Sequence, residues 1–240
     1  MGTEITLPSG KLVEIIPVDG KTERLLEDKK LIQSGAFIDK YLTSRIEAVD
    51  ADSSLTPQQK EKFVLDLRSG DRNYLLYQLR IESYGPEMVF NHECPSCKKT
   101  SGYKADLKEL LADGDIKIHP YRDEPLRVEL PRSGGYAVVD YMTGHEERRL
   151  SQKKDKSLSD LIHIRVKELN GKPPSQHDLD GLIGEDMSVI RGAIDIMSKG
   201  GLDPLIELTC LECGRDYKAS LASIDDFFVP TRTNTGIDIM

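Results

Sequence analysis

Tryptophan is absent from this 240-residue chain, and hydrophobic residues make up 38% of it against 31% charged, so much of its surface is committed to solvent or to polar partners. No run of about 18 apolar residues occurs, which leaves no candidate transmembrane helix. Met1-Gly2-Thr3-Glu4-Ile5 lacks the charged and apolar regions of a secretory signal, and a myristoylation reading of Gly2 has only Thr6 behind it. Synthesis in a cytoplasm is the expectation. Basic tracts are missing too. The net charge of −8 argues against a broad nucleic-acid surface, whose phosphate contacts need clustered Lys and Arg.

Catalytic signatures are equally scarce. No nucleophile elbow, phosphate loop or dinucleotide fingerprint appears. His92, His119, His145, His163 and His177 are scattered, without metalloprotease spacing. His92 lies close enough to Cys94 to support a metal ligand from behind, although a solvent-facing hairpin histidine is the blander reading. Glu146-Glu147 and Asp225-Asp226 are expected to be solvated charge rather than acid/base dyads. The expectation is a protein that is not an enzyme.

Cysteine is rare but concentrated. All four lie in two Cys-x-x-Cys pairs, Cys94-Pro95-Ser96-Cys97 and Cys210-Leu211-Glu212-Cys213. Four thiolates close a tetrahedral structural zinc site and leave no position for a catalytic water. Two half-sites completed by neighbouring subunits and a redox dithiol are the other readings. Reactive Cys-x-x-Cys pairs usually sit at helix N-termini, whereas these sit between predicted strands. One zinc per chain, held by Cys94, Cys97, Cys210 and Cys213, is therefore expected.

The pairs are far apart because the chain echoes itself. Leu7-Pro8-Ser9-Gly10 is answered by Leu130-Pro131 and Ser133-Gly134, and Gly20-Lys21-Thr22-Glu23-Arg24-Leu25-Leu26 by Gly144-His145-Glu146-Glu147-Arg148-Arg149-Leu150. Lys29-Lys30 aligns with Lys153-Lys154, and Tyr103-Lys104-Ala105-Asp106-Leu107 with Tyr217-Lys218-Ala219-Ser220-Leu221. These echoes predict an α+β, internally duplicated unit of β-hairpin, helices and zinc-knuckle β-hairpin, its two knuckles joined at one zinc. The expected organisation is a first repeat over 1–111, a linker over 112–125, a second repeat over 126–223 and an extended C-terminal arm over 224–240.

Within the first repeat, periodicity predicts a hairpin over 3–18, a helix carrying Leu25, Leu26 and Ile32, and a second helix over 36–49. A third helix starts at Thr56-Pro57, and a fourth is capped by Asp71. In the second repeat one helix is expected to run through Leu158, Leu161, Ile162, Ile164, Val166 and Leu169.

The Leu-Pro-Ser-Gly hairpin, the run Ser69-Gly70-Asp71-Arg72-Asn73-Tyr74-Leu75-Leu76-Tyr77-Gln78-Leu79-Arg80-Ile81 and the first knuckle before an Ala-Asp-Leu strand together resemble the baseplate proteins of T-even-type contractile phages, best over residues 3–111. The resemblance implies a structural role in the hub or wedge of a tail baseplate, or in a phage-derived contractile injection system. Other baseplate or tail proteins are the implied partners, one of them contacted by residues 224–240. A tail-assembly chaperone that leaves the finished particle and a zinc-ribbon regulator are the competing functions.

Overall fold

The computed structural model describes residues 2–153, 157–221 and 225–228. Two three-stranded antiparallel sheets head the two halves of the chain. In the first, β1 (Thr3–Thr6), β2 (Leu12–Ile15) and β3 (Ile46–Val49) lie in that order. Val13 and Ile15 are wholly buried on one face while Leu12 and Glu14 are half-buried, the alternation a one-sided sheet needs. The β2–β3 register shifts between Glu14 and Ile15.

Between β2 and β3 run the short helices α1 (Gly20–Glu23) and α2 (Lys29–Gln33), joined by a 3-10 turn, and then α3 (Phe37–Thr43). The single helix expected through Leu25, Leu26 and Ile32 is therefore broken. Asp28 breaks it by accepting from the Leu31 amide as a fresh N-cap. The helix expected over 36–49 likewise stops at Thr43. Ser44 Oγ donates to the Tyr41 carbonyl, and Ile46–Val49 turns into β3 because pairing with β2 buries Ile46 and Ala48. Apolar spacing alone suits both outcomes; the waiting sheet edge decides.

Two long helices follow. α4 (Pro57–Asp66) begins at the expected place, with Thr56 and Gln59 forming a reciprocal capping box. α5 (Ser69–Tyr84) starts two residues before Asp71, which is not its cap. The Asp71 carboxylate instead accepts from the Ser9 amide at 3.0 Å, fastening the first hairpin turn to the helix. β4 (Glu87–Glu93) and β5 (Thr100–Asp106) then form a hairpin, and α6 (Leu107–Ala112), capped by Asp106, closes the half.

The expected linker over 112–125 is folded into the molecule. Ile116 is buried with the first core, and β6 (Ile118–His119) pairs with β10 (Gly201–Leu202). The second sheet comprises β7 (Leu126–Glu129), β8 (Tyr136–Val139) and β9 (Val166–Leu169), with its register shift between Val138 and Val139. α7 (Gly144–Ser151) and α8 (Leu158–Arg165) lie between β8 and β9. The helix expected to reach Leu169 ends at Arg165 for the reason that ended α3, a strand pairing with its sheet. α9 (Gln176–Asp180) and α10 (Gly184–Met197) precede a hairpin of β11 (Leu205–Thr209) and β12 (Asp216–Ser220), and α11 (Asp225–Phe228) is the last described element.

Two cores result, and they do not divide at the sequence boundary. One gathers β1–β3, α3–α5 and the β4–β5 hairpin, but also Leu202, Ile206, Leu208, Ala219, Leu221 and Phe227. The other holds Ala137, Val139, Ile162, Val166, Ile190, Ile194 and Met197 around the second sheet. The halves meet closely where α5 begins. A Cβ on Gly70 would lie 2.0 Å from the Gly200 carbonyl oxygen, and Gly201, at φ +71°, packs against Gly70 in return. Gly201→Ala adds a strained φ to a collision with backbone, and it is expected to destabilise the fold by about 2–3 kcal/mol in denaturant unfolding.

Candidate metal centre

The β4–β5 and β11–β12 hairpins each carry a knuckle at the tip. In the first, the Cys94 amide donates to the Lys99 carbonyl at 2.9 Å and the Lys98 amide to the Cys94 carbonyl at 3.0 Å. In the second, the Cys210 amide donates to the Arg215 carbonyl and the Gly214 amide to the Cys210 carbonyl, both at 2.9 Å. Lys98 and Gly214, each four residues beyond the leading cysteine, take left-handed φ values of +62° and +68°. Glycine takes that conformation freely, while Lys98 holds it under strain.

The two tips face each other, so the four sulfurs all lie within 4.8 Å of one another. Cys94 Sγ is 3.9 Å from Cys213 Sγ, and Cys97 Sγ is 3.7 Å from Cys210 Sγ. A zinc–sulfur bond of about 2.3 Å makes the edge of a regular tetrahedron about 3.8 Å. Bonded sulfurs would be about 2.05 Å apart. The spacing thus fits thiolates around one ion, and the four cysteines could hold a metal.

Burial is graded across the cluster. Cys94 and Cys210 are each 1% exposed, Cys97 is half-buried and Cys213 is exposed, so the leading cysteine of each knuckle faces inward. Amides shape the acidity. The Cys213 amide, helped by that of Glu212, outweighs desolvation and holds the Cys210 thiol down to about 6. At Cys97 the Lys99 amide pulls downward, but desolvation and the three neighbouring sulfurs push the thiol up to about 11. The Cys210 thiolate forms readily and Cys97 resists losing its proton; a divalent cation at the centre would remove that resistance.

Further contacts join the tips. Lys99 Nζ and Glu212 Oε2 lie 2.9 Å apart, an exposed pair worth little energy but bridging the two knuckles. The Tyr103 and Tyr217 hydroxyls are 3.1 Å apart, and Tyr103 also donates to the Thr209 carbonyl. His92 does not support a sulfur. Its ring lies 5.4 Å from that of Tyr217, and its Nδ1 makes no hydrogen bond among the described residues.

Spacing and periodicity gave no sign of a second constellation, which binds the halves away from the sulfurs. Asp39, on α3, gives one carboxylate oxygen to Arg72 Nη2 and the other to Arg148 Nε, both at 2.7 Å. Arg72 also donates to Glu147 at 2.8 Å and to the Val64 carbonyl, while Arg148 reaches Glu61. The expectation that Glu146 and Glu147 are free solvated charge is thereby corrected. Glu146 caps α7 through Thr143 and pairs with Lys167, and Glu147 neutralises a buried arginine. The Asp225 and Asp226 side chains lie outside the described residues.

These features define an α+β protein in which a four-thiol cluster and an ionic lattice around buried Asp39 each draw on both halves of the chain. A family model described as T4 bacteriophage base plate protein matches residues 3–163, two thirds of the chain, and the chain belongs to that family. The matched span contains Cys94 and Cys97 but ends before Cys210 and Cys213. Comparisons with curated proteins and with solved structures returned no match. Family membership supports a structural role in a phage tail baseplate, among other baseplate proteins. Among the described residues no helix is long and apolar enough to cross a membrane.

Proposed function

We propose that this chain is a scaffold component of the hub or wedge of a contractile phage tail baseplate, or of a related contractile injection system. In this reading two copies of one unit are locked together by a single structural zinc on Cys94, Cys97, Cys210 and Cys213. The observation that carries the zinc lock is the gathering of four thiols within 4.8 Å of one another, drawn equally from knuckles 112 residues apart.

Duplication is supported by details that a chance likeness would not repeat. Each sheet has its register shift at the end of its middle strand. Each third strand ends in a two-residue turn with both φ values positive, at Asp50-Ala51 and at Asn170-Gly171. The side chains of Asp50 and Asn170 then accept from the amides of Leu12 and Tyr136, the equivalent residues. Asp71 and Asp186, each in the first turn of its helix, accept from the amides of their hairpin turns, at Ser9 and at Arg132 and Ser133. The repeats are assigned to residues 1–111 and 126–223, joined through 112–125.

Residues 224–240 are assigned as the arm that contacts a neighbour; 222–224 and 229–240 lie outside the described residues. Phe227 and Phe228 root the arm, packing on Tyr77 and on Phe37 and Tyr41 respectively. Two measurements test the reading. Metal analysis of the purified chain should give one zinc per chain, and two or none would sink the shared site. Purified tail particles should contain the chain in a fixed ratio to other baseplate proteins. Its presence during assembly but absence from finished particles would make it a chaperone instead.

A further inference from the structure

Among the described residues, β5 pairs only with β4 and β11 only with β12, and the outer edges of these two strands line the same cleft. In the β4–β5 ladder Cys94 pairs with Lys99 and Leu107 with Pro86, so the odd-numbered residues of β5 bond to β4 and the backbone of Gly102, Lys104 and Asp106 points away. In the β11–β12 ladder Cys210 pairs with Arg215, so the backbone of Leu205, Glu207 and Thr209 points away from β12. Residues from both edges border a cleft of about 520 Å³, with α6 and the turn after it along one side. Tyr103 closes one end by reaching from β5 to the Thr209 carbonyl. Among the described residues, the outward amides and carbonyls of Lys104 and Glu207 make no hydrogen bond.

The Leu205 amide already donates to Asp203 and the Thr209 carbonyl accepts from Tyr103, but a cleft whose two edges keep open backbone groups at Lys104 and Glu207 has the form that accepts an added strand. Its lining holds six carboxylates, among them Asp106, Glu109, Asp203 and Glu207, against three lysines. The chain also carries, outside the described residues, a segment whose sequence has the pattern of a strand. β-branched residues occupy every second position from Val229 to Ile239, namely Val229, Thr231, Thr233, Thr235, Ile237 and Ile239, with polar residues or glycine between them after Pro230. From Thr231 to Gly236 its only charge is Arg232, which matches the acidic lining. Six extended residues span about 20 Å, enough to cover the edge from Leu205 to Thr209.

We propose that residues 231–236 of one copy pair as a strand in the cleft between β5 and β11 of a neighbouring copy. The proposal rests on the reading of this segment as an arm that contacts a neighbour, and it supplies that neighbour and its docking site. Main-chain hydrogen bonds to Lys104 and Glu207 hold the strand, and Arg232 meets the carboxylates.

The test uses full-length, zinc-loaded chains carrying a benzophenone amino acid in place of Thr235, mixed from heavy- and light-isotope cultures and irradiated. Mixed-label cross-links to residues 103–106 or 205–209 are the expected product. Cross-links confined to one label, or found only elsewhere, overturn the proposal. On the cleft-bearing copy, Glu207→Pro removes an outward amide without touching the β12 ladder, and Lys104→Pro does the same for β5. Either change should cut the mixed-label yield about tenfold while zinc content stays at one per chain. An unchanged yield in a variant that keeps its zinc refutes the pairing. If deleting residues 231–240 blocks incorporation into tails while no cleft cross-link forms, this proposal fails and the baseplate reading stands.

Discussion

If the four cysteines hold the proposed zinc, Cys210→Ser is expected to abolish its binding and lower the melting temperature by more than 10 °C. Cys210 is one of the two cysteines buried at 1% exposure, and a serine hydroxyl does not replace a thiolate toward zinc. Structural zinc contributes on the order of 10–16 kcal/mol of apparent binding free energy in small zinc-finger peptides, where binding is folding. In the proposed zinc site part of that energy would go to docking two hairpins that other contacts already align, such as the Tyr103–Tyr217 pair and Lys99–Glu212. Even about 5 kcal/mol would shift the melting of a chain this size by roughly 10–20 °C. Acid should act in the same direction. The thiols must lose protons to bind, so metal affinity falls with falling pH. Metal analysis alongside calorimetry reads both effects, and a variant without zinc that melts like the parent would show that the centre does not hold the hairpins together.

Asp39→Ala carries the second large effect, a loss of about 3–5 kcal/mol in urea unfolding. The Asp39 side chain is 1% exposed and that of Arg72 3%, and Arg148 shares the same carboxylate from the other half of the chain. Removing the carboxylate leaves two arginines facing each other with Glu147 and Glu61 as their remaining partners. The loss should change little between low and high salt, because buried charges are poorly screened. The site tolerates no added bulk either, since a Cβ on Gly144 would lie 2.5 Å from Arg72 Nη1. A fall below 1 kcal/mol would mean that water reaches the lattice and that the halves are held elsewhere.

Local chemistry made part of this structure legible in the sequence. The knuckle hairpins were visible because a period-two pattern runs straight into each Cys-x-x-Cys turn, and the start of α4 because Thr56, Pro57 and Gln59 form a cap by themselves. Strands β3 and β9 were read as helix. Ile46 and Val166 fit either period, and only β2 and β8, brought alongside by the fold, select the strand. Asp71 looked like a cap because an acid near a helix start usually is one, yet its partner is 62 residues away. The Asp39 lattice was hidden for the same reason. Charged residues at 39, 72 and 148 carry no common spacing, and the resemblance drew notice to the run holding Arg72 without revealing why the arginine is there.

The mixed make-up of the first core has a consequence for how the chain is made. Its early members, such as Ile5, Val13 and Leu42, are synthesised about two hundred residues before Leu221 and Phe227, which seal the same core. Contacts of such long sequence separation form slowly, because loop closure must precede their gain. While it is being translated, the N-terminal half therefore exposes an apolar surface that it cannot cover alone, and a ribosome that stalls before residue 202 holds an aggregation-prone fragment. Completion of the first core therefore waits for the last hairpin, which supplies Ile206, Leu208 and Ala219 to it.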